Sequence, residues 1–246
     1  MQLKIALFSA FPQELKEVVR NIGSTKLTKM NACEISRAEY LTHEILVTLT
    51  GIGIRNAENA LKYILREHMP DMVVSIGFAG ALFEGARIGE VIWASNAVFI
   101  DGEGVQIIDL NDGREVFDRL ADTIGIREGS VVTLGEWKKK AEVKKMIPEG
   151  LFSPVCDMET FILSKLSLEN GIRFFAFRAI TDRTEEEIPP EMLGVSDEHG
   201  IYSLYRALGL LIRRPALIPE SIKLGAHSRI AAKSLWQAVS AFVRLL

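Results

Sequence analysis

Short apolar runs alternate with amphipathic stretches along most of this chain. Leu3-Lys4-Ile5-Ala6-Leu7-Phe8 is a compact apolar run, and Pro12 opens a stretch over 12–22 that reads as a helix, proline being favoured in a first turn. Residues 32–40 and 43–50 read as the two arms of a hairpin. Leu61, Ile64 and Leu65 share one face of a helix predicted over 54–68, which Pro70 stops. Met72-Val73-Val74-Ser75-Ile76 reads as a buried strand ending in a Gly77-Phe78-Ala79-Gly80 turn. Further on, strands are predicted over 90–100, 129–134 and 172–180, and helices over 114–123, 157–170 and 198–211. Strands separated by helices predict an α/β protein, a three-layer sandwich with a central mixed β-sheet flanked by helices. Internal repeats and low-complexity tracts are not evident.

Two acidic residues stand out against this pattern. Asp182 closes the apolar run Phe174-Phe175-Ala176-Phe177-Arg178-Ala179-Ile180-Thr181, and Glu159 opens the helix that follows Cys156-Asp157-Met158. A carboxyl delivered to the rim of a sheet by a buried strand loses hydration, so Asp182 is expected to hold a proton near neutral pH. Glu159 is expected to stay ionised in the field of the helix N-terminus and to accept hydrogen bonds from hydroxyls. Read singly, each residue also fits an ordinary helix cap or helix start.

The 246 residues are 48% hydrophobic and 25% charged, enough for one large core. An apolar stretch of about 18 residues is absent, and the N-terminus runs straight into a strand, from which a cytoplasmic protein is expected. Cys33 and Cys156 are too few for a disulfide framework and are not in metal-ligand spacing with the four histidines. Cys156 reads as a packed small residue, with a nucleophile as the alternative. The Gly51-Ile52-Gly53 turn fits close backbone packing or a phosphate cradle, although it lacks the third glycine of a dinucleotide loop and the Lys of a P-loop.

Taken together, Met158-Glu159 at a helix start and a strand ending Arg178-Ala179-Ile180-Thr181-Asp182 resemble the signature half of the type I nucleoside phosphorylase and nucleosidase family. Thr50-Gly51-Ile52-Gly53, Ser75-Ile76-Gly77-Phe78-Ala79-Gly80 and Ala10-Phe11-Pro12-Gln13-Glu14 resemble other motifs of that family, in the family's order. The resemblance spans about residues 3–205 and implies a nucleoside phosphorylase-like fold, a catalytic domain over 1–205 and no metal or organic cofactor. It also implies site roles. Asp182 would protonate the purine at N7, Glu159 would hold the ribose hydroxyls, and Glu14 would activate water. Gly77, Phe78 and Ala79 would line the sugar, Met158 would pack on its face, and Trp137 would stack on the base, with an ordinary half-buried Trp as the alternative. Phe78 stands where the family carries a small hydroxyl residue. With Glu14 near the attacking group this favours hydrolysis over phosphorolysis, for which Arg55 and Arg87 are the candidate cations. The implied substrate is an adenosine-type nucleoside, and the implied assembly a homodimer. A nucleoside-binding module without turnover is the reading from another class.

From residue 201 onward there are seven basic residues and one acidic residue, a net of +6; with −3 overall, residues 1–200 carry −9. Within this 206–246 extension, Ile222 to Leu246 interleaves cations with Leu224, Ile230, Leu235, Trp236, Val239, Phe242 and Val243, as a basic amphipathic helix does. The tail is similar to that of hopanoid-associated phosphorylases and extends past the usual end of methylthioadenosine nucleosidases. Two expectations follow: contact with membrane or a lipid-bearing substrate, or a helix docked on the body. The acid-rich stretch Glu185, Glu186, Glu187, Glu191, Asp197 and Glu198 reads either as a loop near the site or as a solvated turn that offsets the basic tail.

Overall fold

The computed structural model describes residues 2–23, 28–30, 33–101, 104–110, 112–189, 191, 209–210 and 212–246. Strand β1 (Lys4–Ser9) leads through Pro12 into α1 (Pro12–Ile22). β2 (Thr28–Met30), β3 (Cys33–Tyr40) and β4 (His43–Leu49) form an antiparallel meander, and α2 (Ile54–His68) returns the chain to β5 (Met72–Ala81). Next come β6 (Val91–Asp101), β7 (Gly104–Asp109), α3 (Arg114–Ile124), β8 (Arg127–Leu134), α4 (Lys140–Met146), β9 (Val155–Asp157), α5 (Thr160–Glu169) and β10 (Arg173–Asp182). A short 3-10 turn at Pro215–Leu217 precedes the last helix, α6 (Ile218–Leu245).

All ten strands belong to one mixed sheet, in the order β10-β6-β8-β9-β5-β1-β4-β3-β2, with β7 on β6. β10 also pairs with β5, so β5, β10, β6, β8 and β9 close into a ring, while β1 to β4 extend it as an open wing. β1 is parallel to both β4 and β5, and β5 is parallel to β10. Their C-terminal ends therefore share one rim, the position at which open α/β sheets bind ligands.

Several elements differ from the sequence reading. β5 does not stop at Ile76: it continues through Gly77-Phe78-Ala79-Gly80 as paired strand, because β10 runs beside it and takes its backbone groups, Arg178 against Gly77 and Asp182 against Gly80. α5 begins at Thr160, since Val155–Asp157 is held as strand against β5 and β8. Most of the predicted 198–211 helix lies outside the described residues, as do Asp197 and Glu198 of the acid-rich stretch.

The tail is built into the body. Ala231, Leu235, Ala238, Val239, Phe242 and Val243 are buried in the same apolar cluster as Ile5 and Leu7 of β1 and Val74 of β5. Phe242 stacks among Trp93, Phe175 and Phe177 at ring-centroid separations of 4.9 to 6.0 Å. Most of the apolar stripe expected to face lipid is thus spent on the core. The segment before it is different: Ile212, Ile218, Ile222 and Ile230 are exposed. Two of its cations meet the acid-rich stretch, Lys223 with Glu186 at 2.8 Å and Arg214 with Glu191 at 2.6 Å.

Candidate active site

The site is assembled where β1, β5 and β10 end and α1 and α5 begin. β1 hands over to α1 through Phe11-Pro12, which places Glu14 in the helix's first turn, 5% exposed. Glu14 Oε2 accepts from Ser9 Oγ (2.6 Å), Ala10 N (3.1 Å) and Phe11 N (2.9 Å), whereas Oε1 accepts from Phe78 N across the sheet at 2.7 Å. Oε1, with a single donor, retains acceptor capacity for a further partner. Burial pushes the Glu14 carboxyl above its ordinary range, against the opposing pull of Ser9, the Phe78 and Phe11 N–H groups and Arg178. Gly77 is needed for this closeness, because a Cβ there would stand 3.1 Å from Glu14 Oε1 and 3.5 Å from the Arg178 guanidinium carbon.

Arg178, 2% exposed, is the buried cation of the cluster. Its Nε donates to Asp157 Oδ2 at 2.9 Å, Nη2 to Ser75 Oγ at 2.8 Å and Nη1 to the Phe177 carbonyl at 2.9 Å. Asp157 also accepts from the Thr160 backbone N–H at 3.0 Å and from Thr133 Oγ1 at 2.7 Å. The first N–H of α5, buried with Thr160, is thereby taken by Asp157. Glu159 turns the other way and accepts from Gly53 N at 2.6 Å. Gly51 (φ 79°) and Gly53 (φ 98°) occupy the left-handed region that makes this turn possible, and the turn's N–H holds a carboxylate of the protein itself.

The expected ionisation of Glu159 is accordingly reversed. Burial and the Asp157 charge push its carboxyl up to about 8, outweighing the Gly53 N–H and Arg178. The first N–H of α5 goes to Asp157 and so does not serve Glu159. Half-buried Met158 precedes it on the same rim.

Asp182, 5% exposed, ends β10 beside Gly80 after a register shift past Ile180. Its surroundings are not the apolar edge that the sequence suggested. Oδ1 accepts from Thr181 Oγ1 at 2.8 Å, and Oδ2 forms an ion pair with Lys140, the first residue of α4. Cys156 lies against the same spot, its Sγ 3.5 Å from the Gly80 carbonyl. Burial, with Asp182 next, pushes this thiol up to about 12, so it stays protonated and is no nucleophile.

Of the residues singled out from sequence, Glu14, Glu159, Asp182, Gly77, Phe78, Ala79 and Met158 share this rim. Phe78 reaches Glu14 through its backbone and packs its half-buried ring on the core. Trp137 lies half-buried in the connection from β8 to α4 that ends at Lys140. Arg55 and Arg87 are exposed, and Arg87 faces Glu90 at 3.9 Å. The sequence reading passed over Asp157, Arg178 and Lys140. A charged side chain inside Phe-Phe-Ala-Phe-Arg-Ala-Ile was the available signal for Arg178, since a buried guanidinium requires a partner.

The matching family model is that of the phosphorylase superfamily, over residues 4–198. The chain belongs to the phosphorylase superfamily. Among its curated relatives is the 5′-methylthioadenosine/S-adenosylhomocysteine nucleosidase of Shewanella halifaxensis, 20% identical over 227 residues, 85% of this chain and 99% of the relative. The fold matches the solved nucleosidase of the same name from Neisseria meningitidis in complex with methylthio-immucillin-A (TM-score 0.75, 19% identity, 99% of each chain). It matches futalosine hydrolase of Helicobacter pylori equally well (TM-score 0.75, 15% identity, 99% of this chain and 98% of that one). The two structural matches take in 99% of this chain, so most of α6 lies within them, whereas the Shewanella relative, matched over 99% of its length, takes in 85% of this chain.

Proposed function

We propose that the protein hydrolyses the N-glycosidic bond of an adenosine-type nucleoside and releases adenine. The observation that carries this reading is Glu14, a buried carboxylate with one oxygen open to a water, set on a superfamily scaffold beside Glu159 and Asp182. Bond cleavage leaves positive charge on the ribose and negative charge on the base. Glu14 takes a proton from water as its oxygen attacks the anomeric carbon, Glu159 accepts from the sugar hydroxyls, and Asp182 delivers a proton to N7 of the departing base. A carboxyl raised by burial is a stronger base than an exposed one, which suits Glu14 to this role. Phe78 and Ala79 line the sugar, Met158 packs on it, and Trp137 closes the base side.

Electrostatics favour water over phosphate. Arg178 spends its charge on Asp157 and three of its five donors on Asp157, Ser75 and Phe177, so a phosphate dianion beside Glu14 would find little cationic support. Incubation with a panel of adenosine derivatives tests the reading: release of free adenine supports it, and tight binding of every member without turnover would leave a binding module instead.

A second reading concerns the 5′ side of the substrate. A cleft beside Asp182 is walled by Ile188 and Pro189 and, from α6, by Lys223, Leu224 and His227. Its position, with Ile212, Ile218 and Ile222 exposed nearby, supports a lipid-bearing substituent or contact with a membrane's inner face. Pelleting with anionic vesicles checks this: salt-sensitive binding lost on replacing these three isoleucines by serine supports it, and no binding removes it. We also place the protein in the cytoplasm as a homodimer. Exposed Val105, Ile107 and Phe152 support a partner surface, and sedimentation at a monomer's mass would remove it.

A further inference from the structure

We propose that Lys140 is the proton source behind Asp182, so that the acid meeting the leaving base is the Lys140–Asp182 pair with Asp182 as its delivering end. This rests on the reading of Asp182 given above and adds to it a residue that the sequence motifs do not contain.

Lys140 is 5% exposed although it ends a run of three lysines. Its ammonium is ion-paired to Asp182 Oδ2 and donates to the Asp182 carbonyl at 3.1 Å and to the Arg183 carbonyl, so its three N–H groups all point into one short segment. The Lys140 backbone N–H is fixed to Glu187 Oε1 at 3.0 Å, which ties the start of α4 to the same loop. Gly80 makes room: a Cβ there would lie 2.7 Å from Asp182 Oδ2 and 2.9 Å from Lys140 Cε.

Other charged groups around the pair are engaged elsewhere. Asp157 holds Arg178, Glu186 holds Lys223, and the His227 Nδ1–H donates to the Thr181 carbonyl at 2.9 Å, while Cys156 remains a thiol. A buried ion pair is weak support for a fold, since apolar residues of similar volume serve as well or better. At the wall of a cleft, touching the residue that faces the leaving group, such a pair has a chemical use.

The use is proton transfer. When a base covers the cleft and excludes water, moving the shared proton from Nζ to Oδ2 converts the ion pair into a neutral amine and carboxylic acid. As the bond from C1′ to N9 breaks, its electron pair goes to the base, and N7 takes the proton from Asp182. Asp182 is left as carboxylate and Lys140 as amine. Glu14 gains one proton from the attacking water, whose oxygen bonds to C1′. Release of that proton to solvent and uptake of one by Lys140 restore the starting state, with no other co-reactant.

Lys140 acts through Asp182 and is a positioning residue in that sense, so its test must separate proton supply from support. In Lys140→Met, kcat for an adenosine nucleoside should fall by about 10²-fold or more, because the leaving base needs its proton. Cleavage of a nitrophenyl riboside, whose leaving group departs as a stable anion, should fall by less than about threefold. In Lys140→Ala, added ethylamine should restore purine cleavage, and tetramethylammonium, which carries charge but no transferable proton, should not. Loss of Lys140 leaves Asp182 unpaired, so folding is followed by thermal melting; Lys140→Gln carries the same substrate comparison if the Met variant does not fold. Equal losses on both substrates, unchanged purine turnover, absence of amine rescue, or rescue by tetramethylammonium as well would each overturn the inference. If the unmodified protein releases no adenine, the failure falls on the functional reading instead.

Discussion

Two rims of the site carry a carboxylate each and treat it in opposite ways. At the end of β10, Asp182 is joined to a buried ammonium and to a threonine hydroxyl. At the start of α5, Glu159 has one backbone N–H from Gly53 and shares its surroundings with Asp157 and Glu14. The first environment supplies a proton beside the carboxylate, and in the second burial and Asp157 push the carboxyl up to about 8. Under the proposed function this difference suits the β10 end to the base and the α5 end to the sugar. A leaving base accumulates negative charge and needs a proton delivered; sugar hydroxyls need an acceptor, and their arrival provides the donors that favour the ionised form of Glu159.

The largest effect is expected at the end of β10. Asp182→Asn should retain the fold and lose purine cleavage by about 10²- to 10⁴-fold, measured as kcat on an adenosine nucleoside, since an amide passes no proton. Undiminished turnover would remove Asp182 from the acid role. At the other rim, Asp157→Ala should cost about 3–5 kcal/mol in chemical denaturation, because Arg178 is then buried without its partner. A change below about 1 kcal/mol would show that Ser75 and the Phe177 carbonyl suffice for the guanidinium.

Glu159→Gln sharpens the contrast through pH. The Glu159 carboxyl is raised in the folded protein, so its contribution to stability is fully present below the ordinary value near 4.5 and is lost as pH rises through about 8. Removing the titration should therefore raise Tm relative to the parent, with the gap widening from pH 5 to pH 8 and levelling above. A gap that narrows with rising pH would contradict the assigned shift. The same variant should discriminate less against a 2′-deoxynucleoside than the parent does; a fully additive combination of the two losses would sever the contact. Smallest of all, Arg87→Ala should change stability by no more than about 0.5 kcal/mol and leave turnover unaltered in phosphate buffer, as suits an exposed side chain that meets Glu90 at 3.9 Å.

Much of this architecture was readable because each long element has its own period. Pro12–Ile22, the 33–40 and 43–49 hairpin and Ile54–His68 fall within a residue or two of their expected bounds. β7 escaped notice because it lies at the sheet's exposed side and has no buried face to impose alternation, and β9 because three residues are too few to show any period. Closure of the β5-β10-β6-β8-β9 ring is a tertiary fact with no local trace. The site divides in the same way. Glu14, Glu159 and Asp182 were legible through their motifs, but their charge states were not, since these depend on neighbours remote in sequence. Lys140 shows the difficulty best: nothing in Trp137-Lys138-Lys139-Lys140 distinguishes one lysine from the next, and only the docking of α4 on the 182–187 segment decides which one is buried.

Water is favoured over phosphate by Glu14 and by the engagement of Arg178 with Asp157, Ser75 and Phe177. The sugar product formed from an adenosine-type nucleoside that the protein cleaves, in buffers with and without inorganic phosphate, decides between the two. Adenine and the free sugar should form at the same rate in both, whereas turnover that requires phosphate and yields a sugar 1-phosphate would assign the protein to phosphorolysis.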